Sequence, residues 1–263
     1  MQIFTTDAAQ LFSFLLTFMR ISIVLFMLPI FNTNNIPMQV KAAVSLVLSL
    51  SVWPHLSLPI AGVPLHPIGL SLMILGEVFM GLVLGLAINL TFMGIQAGGE
   101  LLGYQMGFTM ISFADPLTGN QTGSAAFFLW MVTLMVFLAL DGHLTMIKGF
   151  FQSFELIPPG QLFVTETLYH QILTLSCELF TLAIKICAPV MVALFACECA
   201  LGLVARTSPQ MHIMDFGFPV KIGIGFFFLG ILLIIIADHT RHFIAGIEGL
   251  MTNLLRSMSP LFN

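Results

Sequence analysis

The chain has 263 residues, of which 58% are hydrophobic and 8% charged, with a mean hydropathy of +1.04 and a net charge of −4. A soluble globular domain carries about 25% charged residues, so this surface belongs in a membrane or inside a hydrophobic assembly. The scattered basic residues form no cluster, which excludes a nucleic-acid surface.

In chain order, apolar runs fall at 11–30, 42–58, 68–95, 125–140, 171–204 and 217–237. Most approach the roughly 20 apolar residues that cross a bilayer as a helix, so the expectation is an all-α, membrane-associated fold with about six hydrophobic segments. The opening "MQIFTTDAAQ" carries Asp7 and no basic residue before Arg20, so no cleaved signal peptide is expected. Pro29, Pro54, Pro189 and Pro219 lie in or at the ends of apolar runs, where they are expected to kink or stop helices. With six alternating spans the basic residues divide evenly: Lys148, Arg241 and Arg256 on one side, Lys41, Arg206 and nearby Lys221 on the other. An ordinary six-span protein shows a clearer imbalance.

Five charges fall within apolar runs: Arg20, Glu77, Glu178, Lys185 and Glu198. Ionisable groups at bilayer depth are costly and face protein or water, so all five are expected to be buried. Glu178 and Lys185, seven apart, share a helix face. They suit either structural ion pairs with neighbours or a transport relay.

Small residues thicken in the third run. Gly81 and Gly85, Gly94 and Gly98, then Gly99, Gly103 and Gly107 recur at four-residue spacing. Such ladders let helix backbones approach closely. Their density predicts a long helix pressed along its length against neighbours, other subunits included.

After Gly107 comes "GFTMISFADPLTGNQTGSAAFF", a polar, turn-rich interruption. Gly107, Asp115-Pro116, Gly119, Asn120 and Gly123 oppose regular structure. Irregular backbone at membrane depth is tolerated only where it is buried in protein or lines a cavity. Further on, Asp141-Gly142 is expected to end one helix and begin a turn, and Pro158-Pro159-Gly160 in "SFELIPPG" to end another. The stretch "ARTSPQMHIMDFGFPVKIGIGF" at 205–226 reads as a well-specified loop, with Arg206 suited to a helix C-terminus.

Chemistry-bearing signatures are missing: no HExxH, GxSxG or P-loop. Cys177, Cys187, Cys197 and Cys199 have no metal spacing and read as free thiols. His239 and His242 beside Asp238 lack a fourth ligand. No metal, cofactor or catalytic residue is expected. A secondary transporter remains an alternative because of Glu178, Lys185 and Glu198, although the two halves show no convincing repeat.

These pieces, in order, resemble the FliR family of flagellar biosynthesis proteins and the related injectisome subunits of type III secretion. The resemblance rests on Arg20 with "LPIF" at 28–31 and Pro37, "GEVFMGLVLGL" at 76–86, and "AGGELLGYQMGF" leading to Asp115-Pro116. It continues through "DGH" at 141–143 and "SFELIPPG" to "RTSPQMHIMDFGFPVKI" at 206–222, where Arg206, Pro209, Gln210, Phe216 and Lys221 stand. The "GFPVKI" wording sits closer to the flagellar branch than to the injectisome branch.

The resemblance implies a single export-gate domain over 1–263, built of kinked helical hairpins. It implies FliP-like and FliQ-like partners, an FlhB-type switch protein, membrane lipids, and unfolded export substrates passing through a narrow pore. The expected place is the bacterial inner membrane, within the flagellar basal body. In the family a loop after the third apolar segment helps to close the pore, here at about 106–123. Phe108, Met110, Ile111 and Phe113 would then supply the bulk that excludes water from the lumen.

Overall fold

The computed structural model of the chain describes residues 8–31, 36–56, 66–108, 123–160, 164–207 and 213–259. Among these the structure is all-α, with no strand. The helices are α1 (Ala8–Met27), α2 (Met38–Val52), α3 (Pro67–Met106), α4 (Ser124–Ala139), α5 (Gly142–Leu156), α6 (Glu166–Thr207) and α7 (Ile213–Met258). A 3₁₀ turn, Trp53–His55, follows α2.

Among the described residues, four helices are long and apolar enough to cross a membrane, or five if the broken pair α4–α5 counts as one. The 40, 42 and 46 residues of α3, α6 and α7 correspond to about 60 to 70 Å of helix. That is roughly twice the hydrocarbon thickness of a bilayer.

Proline and glycine act where the backbone geometry requires it. Pro54 opens the 3₁₀ turn that ends α2. The break between α4 and α5 holds Asp141 in the left-handed region at φ 56, as expected for the Asp-Gly pair. Helix α5 stops at Leu156, and the turn after it closes on Gly160 at φ +87.

Pro189 and Pro219 do not stop their helices, since each lies inside a continuous one. Proline removes one helical donor, and the neighbouring turns of so long a helix hold the rest. The loop read over 205–226 is likewise shorter than expected. Helix α6 runs to Thr207 and α7 already begins at Ile213.

Helix α7 also outlasts its apolar run by some twenty residues. Ile247, Met251, Leu254, Leu255 and Met258 are fully or almost fully buried in this extension. Their spacing is that of one helical face, a periodicity that average hydropathy conceals.

The chain forms two compact units. The first comprises Met1–Asn89, Asp141–Leu175 and Ile244–Asn263; the second comprises Leu90–Leu140 and Ser176–Phe243. Helices α3, α6 and α7 contribute residues to both. In the second unit, Ile95, Leu102, Met106, Leu129, Ile186 and Leu232 belong to one buried cluster. Phe92 and Phe137 add an edge-to-face contact at 5.4 Å between ring centroids.

Candidate functional site

Two constructions stand out, one in each unit. In the first unit, the Arg20 guanidinium is 1% exposed and Glu77 likewise. Arg20 Nε donates to Glu77 Oε2 at 2.5 Å and Nη2 donates to Oε1 at 3.0 Å. Its Nη1 donates to the carbonyls of Ser153 at 3.2 Å and Ile157 at 3.0 Å.

Ser153 belongs to the last turn of α5, and Ile157 follows its end. Arg20 therefore caps this helix terminus: it supplies a donor to the Ile157 carbonyl and a second one to the Ser153 carbonyl, which also accepts the Ile157 amide. The guanidinium also lies over the Phe154 ring, 4.5 Å from its centroid. Glu77 Oε1 in turn accepts the Gly160 amide at 2.7 Å. A buried charge is tolerated when paired and hydrogen-bonded, and here every guanidinium nitrogen and both Glu77 oxygens have a partner.

Three sequence pieces far apart in the chain meet here: Arg20 of α1, Glu77 of "GEVFMGLVLGL", and the "SFELIPPG" turn. The sequence marks the members but not the meeting. A second set of ties in the same unit was not anticipated. Thr165 Oγ1 accepts from the Leu168 amide as the cap of α6 and donates to the Ser257 carbonyl, while Ser257 donates to Gln171 Oε1.

The glycine stripe of α3 faces this chain's own helices, as neighbours of the expected kind. In the first unit, a Cβ on Gly81 would stand 3.0 Å from Ile23, and Gly85 faces Met27. In the second unit, Gly94 faces the Leu179 carbonyl, Gly98 faces Ala183 and Cys187, and Gly99 faces Ala126. Gly103 has ordinary room, 3.6 Å from Ala125. At all of these but Gly103 the backbones approach too closely for a larger side chain without a shift.

The remaining charges lie in the second unit. Lys221 Nζ meets Glu198 Oε1 at 2.5 Å, with the two side chains 22% and 40% exposed. Glu178 and Lys185, expected to be buried, are exposed on the chain itself. They sit on α6 opposite Ala183, Ile186, Val190 and Leu194, which fill the core. Arg206 is exposed in the last turn of α6, where a cation complements the helix dipole. Pro209 and Gln210 lie outside the described residues, as does the side chain of Phe216.

The second construction holds both ends of the polar interruption. Helix α3 ends at Met106, and Gly107 adopts φ +86 while donating to the Tyr104 carbonyl at 3.1 Å. This is a glycine stop of the left-handed kind. Gly107 is doubly constrained, because a Cβ there would lie 2.6 Å from the Phe218 ring of α7. Phe108 then packs against Phe226, edge-on, at 6.3 Å between centroids.

At the other end, the Gly123 amide donates to Glu100 Oε1 at 3.1 Å. Gly123 is the N-cap of α4 and offers no side chain of its own. The Glu100 carboxylate, projecting from α3, supplies the acceptor and a favourable negative charge at that helix N-terminus. Sequence reading missed Glu100, Phe218 and Phe226 as partners. Met110, Ile111, Phe113, Asp115, Pro116 and Gly119 lie outside the described residues.

Among the described residues no His, Cys, Asp and Glu side chains group as metal ligands. The two constructions are a clamp and an anchored loop base, and neither presents a nucleophile beside a base. A sequence profile of the bacterial export proteins, family 1, matches residues 11–247.

The chain belongs to that family.

It is 30% identical to the flagellar biosynthetic protein FliR of Pectobacterium carotovorum subsp. carotovorum over 92% of each chain. It is also 30% identical to FliR of Bacillus subtilis (strain 168), over 92% of this chain and 94% of that one. Similarity reaches the surface presentation of antigens protein SpaR of Salmonella typhimurium, 30% identical over 80% of this chain and 78% of that one. Family membership and the long apolar helices together make the chain a membrane protein of an export apparatus.

Proposed function

We propose that the whole chain acts as one gate subunit of the flagellar type III protein export apparatus, in the bacterial inner membrane at the flagellar basal body. It assembles with FliP-like and FliQ-like subunits, cooperates with an FlhB-type switch protein, and passes unfolded substrates through the pore they share. The segment at about 106–123 acts as the plug.

The observation that carries this reading is the anchoring of both segment ends. Gly107 is turned off α3 against Phe218, Phe108 rests on Phe226, and Gly123 is held by Glu100. A segment held at both ends can obstruct a lumen while its middle yields to a passing chain. A constriction lined by Phe108, Met110, Ile111 and Phe113 stops ions by dewetting. Helices twice as long as a bilayer is thick support a subunit that buries apolar surface against sister proteins.

Deleting residues 110–118, or Phe113→Ala, is expected to raise ion conductance of the closed assembly while substrate export continues. Conductance identical to that of the wild-type assembly contradicts the plug assignment. The likeness to SpaR favours a second reading, an injectisome gate subunit. Complementation decides between them: the flagellar reading requires restored swimming in a strain lacking its FliR.

A further inference from the structure

We infer that the outward face of α6 over residues 178–203 docks a largely apolar helix of another subunit. That helix carries one basic and one acidic residue two turns apart, placed to meet Glu178 and Lys185. The inference rests on the proposed hetero-oligomeric gate and specifies one of its interfaces.

The face has the geometry of a packing seam. Glu178, Lys185, Val192 and Cys199 recur every seven residues, and Thr181 and Phe195 fill the intermediate row. All six are exposed, Val192 by 68% and Phe195 by 62%. A seven-residue repeat with a second row offset by three presents a continuous stripe to a partner helix. The opposite stripe of α6 (Ala183, Ile186, Cys187, Val190, Leu194) is consumed by this chain's own core. The exposed stripe is therefore a second, unfilled packing face.

The two charges identify what fills it. Neither Glu178 nor Lys185 forms a hydrogen bond or ion pair with another side chain among the described residues. His239 on α7 is within electrostatic range of Lys185, but when protonated it repels that ammonium. Both charges lie on a helix apolar enough to span a membrane. Ionisable groups in such segments face protein or water and pair there. Polar groups at seam positions fix register and partner choice, so complementary charges at the same two-turn spacing are the fitting occupant.

A second copy of this chain fits less well. Antiparallel self-pairing would set Glu178 against Lys185 of the copy and the reverse. The same register would bring Phe195 opposite Leu168, which is 1% exposed inside its own chain. Cys199 would fall opposite residue 164, before α6 begins at Glu166. Only a short part of the seam would be filled. A different helix can follow all of it.

The test uses the full chain co-expressed with the FliP-like and FliQ-like subunits of its own organism. Glu178→Lys and Lys185→Glu are each expected to lower the yield of purified complex at least tenfold. The double exchange should do no better than either single change, because the partner's charges stay in their original order. Wild-type yield from both single variants overturns the inference and leaves the proposed function standing. Recovery by the double exchange also overturns it, since that would mean the two charges serve only each other.

A photocrosslinking residue placed in turn at 181, 185, 188, 190, 192, 194, 195 and 199, in native membranes, supplies an independent readout that does not depend on complex yield. Adducts at 181, 185, 188, 192, 195 and 199, but not at 190 and 194, support the seam. Adducts with the mass of a second copy, or none at all, overturn the hetero-subunit assignment. Failure of the wild-type chain to co-purify would count against the proposed function instead, and the crosslinking pattern would still decide the seam.

Discussion

Among the opposite charges on the apolar helices of this protein, two sets meet different fates. Arg20 and Glu77, 57 residues apart, find each other and three backbone groups within the first unit. Glu178 and Lys185, seven residues apart on one helix of the second unit, find no such partners among the described residues. A charge buried in its own chain must find its partners there, and each guanidinium nitrogen of Arg20 does. A charge left on an apolar face leaves its partner to be supplied from outside. Equal-looking interruptions of a hydrophobic run can thus mean opposite things: an internal clamp or an unfilled interface.

The comparison is broken most severely at Arg20. Arg20→Ala strips the buried Glu77 carboxylate of its guanidinium partner and the Ile157 carbonyl of its donor, and removing one member of a buried pair costs about 3–5 kcal/mol. A large fall in thermal stability of the detergent-solubilised chain, with little accumulation in cells, is the expected outcome. Stability within about 1 kcal/mol of wild type would show that the clamp is not a central support.

The second unit, held by close apolar packing, should respond to volume instead. A Cβ on Gly99 would lie 2.5 Å from the Ala126 Cα, where backbone and not a side-chain tip must give way. Gly99→Val should cost about 1–3 kcal/mol, the usual range for overpacking. One turn along, Gly103→Ala has room at 3.6 Å and should be neutral or stabilise by up to about 1 kcal/mol through helix propensity. Parallel denaturation of the two variants tests the sign difference.

Lys221→Ala is expected to have the smallest effect. Its ion pair with Glu198 is partly exposed, so water and salt screen it, and loss should stay under about 1 kcal/mol. A larger loss in the isolated chain would move this pair into the class of the Arg20 clamp.

Much of this was legible in the residues themselves, and the failures have physical causes. The Asp141 break and the "SFELIPPG" stop depend on local backbone chemistry, so they read directly. Glycine spacing on α3 announced close packing but not against what, because a small residue records proximity without naming its neighbour. Glu178 and Lys185 were expected inside because charges in apolar runs usually are. Only the packing of α6 shows which of its faces the core consumes. Pro189 and Pro219 were expected to kink or stop helices, and the helices run on through them. Glu100 gave no signal as the cap of α4 because its partner lies 23 positions downstream.

By itself the sequence determined the class, the helical character, the local stops and the family. These follow from composition, short-range backbone preference and ordered motifs, none of which requires knowing which segments touch. The tertiary structure decided which charges are satisfied within the chain, which glycines meet which helices, and how the ends of the 107–123 segment are held. Those outcomes depend on contacts between residues far apart in the chain, and a linear pattern fixes a side chain's face without fixing what that face meets.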